Sequence, residues 1–452
     1  MRPHAIGNMS EDNTDKVKLD AVIVGCGPAG LAAGITMARA GLEVAALERG
    51  ETAGSKNVSG LLYSAALEEL FPDFPSDAPI ERPVSRRQMI FLGLNEHVSL
   101  GFGSEDWSRP PFNHTFVVYR SRFDHWMTRQ FEEAGGTLLE GMVVDDLLIE
   151  GEGADARVVG VQIRDDEPFY ADTVILADGA GGLLSSGAIR RFGLDQDNRP
   201  QEFGIGVKEI VGLARGTIEE RFNLESHQGA ALDFLGTPFS GLAGGGFIYT
   251  GQETVAVGFM ARLDTVVQCG ARPHEILDAF HGHPRVRPYL EGGELLEYSA
   301  HLIPEGGLRS IPKPYAPGLL LVGDAAGFVN ASLYHEGGNL ALASGCLAGQ
   351  VAIEAIKHKD SSVAMLASYE QKIMQSFFME DLSRYERIPD LMEELPRMLE
   401  IYPRKVCGLL IDYFTQATRP KREIQREARK SFWEGLSKRM LVRDLWKARR
   451  LL

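Results

Sequence analysis

With 452 residues, the chain is longer than one hydrophobic core usually supports, which predicts two or three domains. Its 44% hydrophobic and 24% charged residues are typical of a soluble globular protein, and no uncharged apolar run reaches the ~18 residues of a membrane-spanning helix. The net charge of −15 argues against a nucleic-acid partner.

Residues 1–18 are polar and mixed in charge, without the apolar segment of a signal peptide, and are predicted to be a flexible N-terminus. The four cysteines lie far apart, and no two have the spacing of a metal or iron–sulfur site: Cys26, Cys269, Cys346 and Cys407. This distribution predicts a reducing cytoplasm and no metal site in the chain.

The first structured unit is a glycine-rich turn between two apolar runs. Residues 21–24 are typical of a buried parallel strand, and a helix-like stretch and a second apolar run that ends in Glu48 follow the turn. Gly25 permits the tight turn, Gly27 lets a pyrophosphate approach the backbone, and Gly30 lets the helix pack on the strand. The helix start offers free N–H groups to phosphate, and an acid about 20 residues downstream can bind a ribose. The unit predicts a dinucleotide site; the alternative is an ordinary tight turn.

The next stretch, 61–110, is predicted to be irregular because four prolines break any long helix there: Pro72, Pro75, Pro79 and Pro83. A strand is predicted at 116–119, and a hairpin at 158–170. Residues 200–262 alternate apolar and small side chains, which predicts an antiparallel sheet and thus a second domain. Residues 271–300 are predicted to be mainly helical.

Two further apolar strands end as the first one does, one at Asp178 and one at Gly323-Asp324. The carboxyl ends of parallel strands line one edge of a doubly wound sheet, where ligands bind. Three such ends predict one discontinuous nucleotide domain and favour FAD over NAD. Asp324 can bond the ribityl or pyrophosphate part of FAD, or it can be a helix N-cap. Gly338 and Asn339 open a long helix whose positive end can face the pyrimidine edge of the isoalloxazine ring.

Four motifs resemble the flavoprotein group that contains aromatic hydroxylases, geranylgeranyl reductases and electron transfer flavoprotein–quinone oxidoreductases. They are the glycine turn 25–30, the Arg-x-Arg-Phe-Asp sequence 120–124, and the strand ends 174–179 and 321–327. Three further segments resemble the quinone oxidoreductase branch, and its short FixC form in particular: 54–60, 245–249 and 301–307.

The resemblance implies an FAD-dependent oxidoreductase that takes electrons from an electron transfer flavoprotein and passes them to membrane quinone, without a dedicated catalytic residue. Together with the motifs it implies FAD binding by Gly25, Gly27, Pro28, Ala29, Gly30, Glu48, Arg49, Lys56, Ser59, Gly60, Arg122, Val144, Asp178, Gly179, Gly323, Asp324, Gly337, Gly338 and Asn339. It also implies that Gly244 and Gly245 bring a quinone near the flavin, since glycine lets a flat head group approach the backbone. The alternative for this pair is a β-bulge or a turn.

The long quinone oxidoreductases carry a [4Fe–4S] domain at the C-terminus, but Cys407 is the only cysteine after residue 350. The resemblance to FixC therefore implies a separate ferredoxin-like partner, FixX, beside two electron transfer flavoprotein subunits in a FixABCX-type complex. Some such complexes bifurcate the electrons of NADH between quinone and a low-potential acceptor. The implied location is the cytoplasm, at the inner face of the cell membrane.

The C-terminal segment has the opposite charge to the whole chain, with twelve Lys or Arg against four Asp or Glu from Arg419 to Leu452. Four apolar residues are predicted to share one helical face: Phe432, Trp433, Leu436 and Met440. Three hypotheses remain for this segment: docking on anionic lipid, contact with an acidic ferredoxin partner, or a solvated helix packed on its own domain.

The sequence thus predicts an α/β protein. It comprises a discontinuous Rossmann-like FAD domain (19–80, 120–200 and 301–360), an antiparallel β-sheet domain for substrate or quinone (81–119 and 201–300), and a C-terminal helical segment (361–452). Three alternatives to the quinone oxidoreductase stay open. They are a prenyl reductase of the same group, a non-catalytic FAD-binding scaffold subunit, and an aromatic hydroxylase that uses NAD(P)H and oxygen.

Overall fold

The computed structural model describes residues 18–55, 59–194, 203–332, 334–388, 391 and 394–449. Lys56 and residues 1–17, for which the sequence predicts a flavin contact and a flexible N-terminus, lie outside the described residues, as does the side chain of Ser59.

Strands and helices are mixed as far as residue 321, and from residue 338 the described elements are all helices. The strands are β1 (Lys18–Val24), β2 (Val44–Glu48), β3 (Ser59–Tyr63), β4 (Ile80–Leu92), β5 (His97–Gly103), β6 (Thr115–Tyr119), β7 (Thr137–Glu140), β8 (Val144–Glu150), β9 (Arg157–Ile163), β10 (Phe169–Leu176), β11 (Phe203–Gly212), β12 (Gly229–Gly236), β13 (Gly244–Thr250), β14 (Thr254–Arg262), β15 (Glu294–Pro304), β16 (Tyr315–Ala316) and β17 (Leu319–Leu321). The helices are α1 (Pro28–Arg39), α2 (Ala65–Leu70), α3 (Arg120–Glu133), α4 (Leu183–Phe192), α5 (Arg215–Phe222), α6 (Leu263–Cys269), α7 (Pro273–Gly282), α8 (Arg287–Leu290), α9 (Gly338–His358), α10 (Val363–Met374), α11 (Phe377–Arg384), α12 (Pro396–Phe414), α13 (Lys421–Trp433) and α14 (Lys438–Ala448).

The first sheet has the order β16-β17-β10-β1-β2-β7, and its strands from β17 to β7 are parallel. Val24 pairs with Leu176 on one side and with Leu47 on the other, so the carboxyl ends of these strands lie side by side. Helices cover this sheet, which explains why β1 and β10 are apolar runs rather than alternating ones. The predicted convergence of the three strand ends is therefore confirmed.

The second sheet has the order β15-β11-β14-β13-β12-β4-β6-β3, with β5 added to β4. Its strands are antiparallel except for the pair β12 and β4. This confirms the sheet predicted at 200–262. The prediction that 61–110 is irregular is wrong, because β3, α2, β4 and β5 lie there. Pro83 lies within β4, next to a register shift, and a bulge of this kind tolerates a strand proline.

Residues 271–300 are only partly helical. Helices α7 and α8 confirm the first part of the prediction, whereas the last part is wrong because β15 begins at Glu294. Strand β15 is an edge strand that pairs with β11 alone, and Leu296, Tyr298 and Leu302 are exposed on it. Because the exposed face of β15 is apolar, its sequence lacks the alternation of apolar and polar residues that is typical of a half-buried strand. Pairing with β11 therefore decides the conformation of β15.

Helix α9 is the one helix in the described ranges that is long and apolar enough to cross a membrane. It packs on α1, and a Cβ atom on Gly345 would lie 2.1 Å from the Ala29 carbonyl oxygen. Of the most apolar 18-residue stretch of this helix, 61% is buried inside the protein, as expected for the core helix of a globular protein.

Helices α10 to α14 confirm the helical C-terminal segment within the described ranges. The single apolar face predicted there is wrong. Gly435, at φ +76°, separates α13 from α14, so Trp433 and Met440 belong to different helices. Leu436 lies between the helices and is buried.

Candidate functional site

A cavity of about 1440 Å³ lies against the carboxyl end of the first sheet, one face of the second sheet and the C-terminal helices. Ligand pockets usually measure roughly 300–1,000 Å³, so this one has room for more than one ligand. Its lining includes most of the residues predicted from the sequence: Gly25, Gly27, Pro28, Ala29, Glu48, Arg49, Gly60, Val144, Asp178, Gly179, Asp324, Gly337 and Gly338, together with Gly244 and Gly245.

The glycine-rich turn is tight on two sides and open on the third. Gly25 has φ +104°, and a Cβ atom there would lie 2.4 Å from the Ala177 carbonyl oxygen. A Cβ atom on Gly30 would lie 2.1 Å from the Gly25 carbonyl oxygen, because α1 packs directly on the turn. A Cβ atom on Gly27 would meet no atom of the described residues within 4 Å, since this residue faces the cavity. The N-terminus of α1 is therefore open to an anionic ligand.

Glu48 ends β2 beside this turn, and its carboxylate is fixed by backbone donors. Oε2 accepts a hydrogen bond from the Cys26 N–H at 3.2 Å, and Oε1 accepts one from the Gly50 N–H at 2.7 Å. Burial raises the pKa of the Cys26 thiol well above its ordinary value, so this cysteine stays neutral and unreactive. The arrangement offers a carboxylate to ligand hydroxyl groups.

Two more carboxyl groups stand at the ends of the neighbouring strands. Asp178 Oδ2 accepts a hydrogen bond from the Ser185 N–H at 3.1 Å, while Oδ1 is buried without a partner in the described part of the chain. Asp324 also lines the cavity, and burial raises the pKa of both carboxyl groups. An unpaired buried oxygen costs free energy, so a ligand hydroxyl here would be stabilising. A polyhydroxylated chain such as the ribityl group fits these residues.

Of the two arginines in the Arg-x-Arg motif, Arg122 was predicted to bind FAD, but it is Arg120 that lines the cavity. Arg120 donates from Nε and Nη2 to the two carboxylate oxygens of Asp124, each at 2.7 Å, and both side chains line the cavity. Arg122 is 70% exposed, pairs with Glu81 at 3.2 Å and lies outside the lining. Residues two apart on a helix point to different faces, so α3 turns Arg122 away. Arg122 therefore lies outside the cavity proposed for FAD.

Two other residues predicted to bind FAD, Asn339 and Gly323, form hydrogen bonds with protein groups outside the cavity lining. The Asn339 side chain accepts a hydrogen bond from the Ala66 N–H at 2.8 Å and donates one to Glu336 at 2.7 Å, so it holds α2 against α9. Gly323 donates its N–H to Ser344 Oγ at 3.0 Å. Neither residue lines the cavity, whereas Gly337 and Gly338 at the start of α9 do.

Gly244 and Gly245 lie in regular strand β13 rather than in a bulge or a turn. Cβ atoms there would lie 2.0 Å from the Met260 carbonyl oxygen and 2.4 Å from that of Phe234. Sheet packing alone therefore requires glycine at both positions. Both also line the cavity and leave its wall flat at this point.

Sequence reasoning assigned no role to five ionisable residues on the cavity face of the second sheet, although two of them lie in the family segment 301–307: Arg87, Lys208, Asp233, His301 and Glu305. Burial lowers the pKa of Lys208 to about 8 and that of His301 to about 3, where the charges of Lys208 and Arg120 add to the effect. A single charged residue inside an apolar strand, as in Ala-Leu-Asp-Phe-Leu around Asp233, was the signal that could have found them.

Glu305, which directly follows β15, makes the stability depend on pH. Burial raises the pKa of this carboxyl group to about 7, so ionisation destabilises the fold. The group favours folding fully below its unfolded pKa of about 4.3, and that advantage is lost as the pH rises through 7. We expect wild type to lose on the order of 3 kcal/mol between pH 4 and pH 8 through this group, and Glu305→Gln to lack that loss.

Urea unfolding at both pH values measures the difference. Glu294→Gln, at the exposed start of the same strand, is the matched control and should follow the wild type. Equal pH dependence in Glu305→Gln and wild type would contradict the assignment.

Comparisons with known proteins agree with this geometry. Three family models match the chain: FAD dependent oxidoreductase over residues 20–236, ETF-QO ubiquinone-binding over 203–303, and the ETF-QO/FixC family C-terminal domain over 388–452. The Probable electron transfer flavoprotein-quinone oxidoreductase YdiS of Escherichia coli is 39% identical over 420 residues, covering 92% of this chain and 94% of that protein. Protein FixC of Azotobacter vinelandii is 38% identical over 419 residues, covering 92% and 94%.

Solved structures share the fold at low identity. A geranylgeranyl bacteriochlorophyll reductase-like protein from Thermoplasma acidophilum has a TM-score of 0.69 and 20% identity, covering 97% of this chain and all of that one. The flavin-dependent brominase Bmp2 has a TM-score of 0.58 and 16% identity, covering 93% of this chain and 100% of that one.

Proposed function

The chain belongs to the electron transfer flavoprotein–quinone oxidoreductase/FixC family of FAD-dependent oxidoreductases, and from this premise we propose that it passes electrons from an electron transfer flavoprotein to a quinone. FAD is its cofactor and supplies the electron-accepting and electron-donating chemistry when it is bound. Because the family consists of oxidoreductases, a non-catalytic scaffold role is not retained.

One observation carries the proposal: the dinucleotide end of the cavity and the face of the second sheet belong to the same space. The ubiquinone-binding family model covers 203–303, which includes β11 to β14 and most of β15. A quinone on that sheet would share the cavity with FAD, and electron transfer needs such a short gap.

Residues of the first sheet would hold the cofactor. Gly27 and the N-terminus of α1 would bind the pyrophosphate, and Glu48 the ribose hydroxyls. Asp178 and Asp324 would accept hydrogen bonds from the ribityl chain. Gly337, where α9 begins, would bring the positive end of that helix to the pyrimidine edge of the ring.

The proposal includes two protein partners and a membrane surface. The donor is an electron transfer flavoprotein, and an iron–sulfur cluster would come from a separate ferredoxin-like protein, since the four cysteines of the chain are widely spaced. Helix α14 exposes Val442, Leu445 and Trp446 among Lys and Arg residues, which suits contact with the cytoplasmic face of an anionic membrane. A complex of the FixABCX type, with or without electron bifurcation, is the assembly we propose.

A prenyl reductase is the second candidate, because one end of the cavity is apolar. Side chains of the C-terminal segment form this end: Ile388, Met398, Leu399, Leu445 and Ala448. A prenyl chain of a substrate would bind there, but so would the isoprenoid tail of a quinone. Reduction of geranylgeranyl double bonds by the purified protein would favour the reductase.

Quinone reduction by the purified chain tests the main proposal. Ubiquinone is presented in vesicles with or without anionic lipid, and reduced electron transfer flavoprotein is supplied with or without the ferredoxin-like protein. We expect quinol to form, faster on anionic vesicles, and NADH alone to reduce the bound flavin slowly. Absence of quinol in every arm would refute the proposal. Fast reduction by NADH alone would instead favour a hydroxylase.

A further inference from the structure

A cluster of polar side chains around Asp233 lies on the cavity face of the second sheet. Strand register places Asp233 of β12 between Met89 of β4 and Phe247 of β13. Arg87 and Tyr249 lie two residues away on the outer two strands, and thus on the same face. All five side chains line the cavity. An acid between two apolar neighbours in a cavity wall requires an explanation.

The carboxyl group of Asp233 is left for a ligand. Within the described ranges no hydrogen bond or salt bridge is made to it, and Arg87 instead donates from Nη2 to the Tyr63 hydroxyl at 2.7 Å. The Tyr63 hydroxyl donates in turn to the Tyr334 carbonyl oxygen at 2.7 Å. Burial raises the pKa of Asp233, although the charges of His335 and Arg87 oppose that effect. Burial thus favours the protonated form of this carboxyl group, which faces the cavity.

His335 reaches the same region from the turn before α9. Its backbone has φ +48°, which is uncommon for a residue other than glycine, and its N–H donates to the Ser332 carbonyl oxygen at 3.0 Å. Two backbone hydrogen bonds between Asn330 and Glu336, at 2.8 and 3.0 Å, close the turn. Strain of this kind persists only where the surroundings hold it, and it occurs often at functional sites. The turn thus places His335 in the cavity lining, and its charge acts on the Asp233 carboxyl group.

We propose that Asp233 and His335 are the proton-donating pair for the quinone reduced in this cavity. This inference rests on the proposed function and adds residues to it. Asp233 gives its proton to a quinone oxygen, and His335 restores that proton. Such a pair explains why an acid and a histidine from distant parts of the chain face one apolar cavity.

The atoms and electrons of the step balance. A quinone would become a quinol by taking up two electrons, which FAD would supply when bound, and one proton on each oxygen. The O–H bond of Asp233 breaks and an O–H bond forms on the quinone, which leaves a carboxylate. His335 gives a proton from one ring nitrogen to a bridging water, which passes a proton to this carboxylate, and His335 takes a proton from solvent on its other ring nitrogen. A second passage delivers the second proton.

The neighbouring charges suit this role. The titratable or charged groups that face the pair from adjacent elements are Tyr63 on β3, Arg87 on β4, Tyr249 on β13 and Glu336 in the same turn. Arg87 stabilises the carboxylate left after proton transfer. Burial raises the pKa of Tyr249 well above its ordinary value, so its hydroxyl stays protonated. Lys208 stands beyond Phe247, with Nζ 6.0 Å from the ring centroid.

Stopped-flow measurement of flavin reoxidation by a water-soluble quinone tests the pair. We expect Asp233→Asn to slow reoxidation about 100-fold or more, the range typical of a lost general acid, while flavin content and reduction by dithionite stay at wild-type values. Asp233→Glu, which keeps the acid, should recover part of the rate. His335→Gln should slow steady-state turnover more than the first turnover, because it impairs the return of the proton.

Matched controls are Asp106→Asn and His227→Gln, both exposed residues outside the cavity. A wild-type reoxidation rate in Asp233→Asn would overturn the inference and leave the proposed function intact. Failure of the wild type itself to reduce quinone would instead refute the proposed function, and the inference with it.

Infrared difference spectroscopy gives a readout that does not depend on turnover. We expect wild type at neutral pH to show the carbonyl band of a buried protonated carboxyl group that shifts when quinone binds. The band should be absent from Asp233→Asn. If Asp233→Asn does not fold with bound FAD, the inference is tested by two other observations. They are the quinone-sensitive band in wild type and a shift of that band in Asp233→Glu. Absence of any such band in wild type would overturn the inference.

Discussion

Gly27→Val is expected to yield a folded but colourless protein. The valine side chain would extend into the cavity at the N-terminus of α1, where no protein atom lies within 4 Å of the Cβ position. Residue 27 has φ −80° and ψ 178°, a conformation that valine adopts without strain. The substitution therefore spares the fold and occupies the space proposed for the pyrophosphate. We expect FAD affinity to fall at least ~100-fold, or about 2.7 kcal/mol.

Flavin absorbance per chain, after incubation with excess FAD and gel filtration, measures this effect. Gly216→Val is the matched control, since its Cβ atom would also meet no protein atom within 4 Å and it lies outside the cavity. That variant should bind FAD like wild type. A Gly27→Val protein with one tightly bound FAD per chain would show that the pyrophosphate does not lie at the start of α1.

Valine at either of the two other glycines of the turn is expected to reduce FAD binding for a different reason. Valine at Gly25 or Gly30 would clash with backbone atoms at 2.4 and 2.1 Å, so a loss of FAD there would reflect a damaged turn. Only Gly27 separates binding of the ligand from formation of the turn. Because ligand binding adds to stability, Gly27→Val should also remove the increase in melting temperature that added FAD gives to wild type.

Asp444→Asn is expected to increase local opening of α14, the last helix. Asp444 on α14 is 1% exposed, and it accepts hydrogen bonds from Arg397 at 2.7 and 3.0 Å and from the Tyr402 hydroxyl at 2.8 Å. Breaking a buried ion pair costs roughly 3–5 kcal/mol. These side chains lie near the protein surface and Arg397 is 22% exposed, so we expect a loss of about 2 kcal/mol.

Hydrogen exchange of the α14 amides measures the release. At pH 7 the variant should exchange about 30-fold faster there than wild type, following 1.4 kcal/mol for each factor of ten. Hydrogen bonds from Arg397 lower the pKa of Asp444, so its contribution is present above the unfolded value of about 3.9 and is lost as the pH falls through the folded value. Wild type and variant should therefore converge in acid.

The control lies on the preceding helix. Glu427 pairs with Arg419, but their side chains are 55% and 49% exposed, so Glu427→Gln should cause no measurable change. Ala448 and Arg449 line the cavity, so loosening of α14 also opens its apolar end. Unchanged exchange in Asp444→Asn would show that other contacts hold the helix.

The sequence by itself determined the cofactor fold. The glycine turn, the apolar run that ends at Glu48 and the strand ends at Asp178 and Asp324 are each local patterns, encoded within a few residues. Parallel strands run in the same direction, so the carboxyl ends of three such strands lie at one edge of the sheet. That rule is sufficient to predict the Rossmann-like sheet and the cavity edge that these distant segments share.

The tertiary structure alone decided which side chains face the cavity. Helical phase puts Arg120 inside and Arg122 outside, and packing of α2 against α9 turns Asn339 away. Asp233 and His335 line the same cavity only through the pairing of β12 in the second sheet and the turn before α9. Local periodicity fixes the kind of element, but the face that each residue presents depends on contacts between segments far apart in the chain.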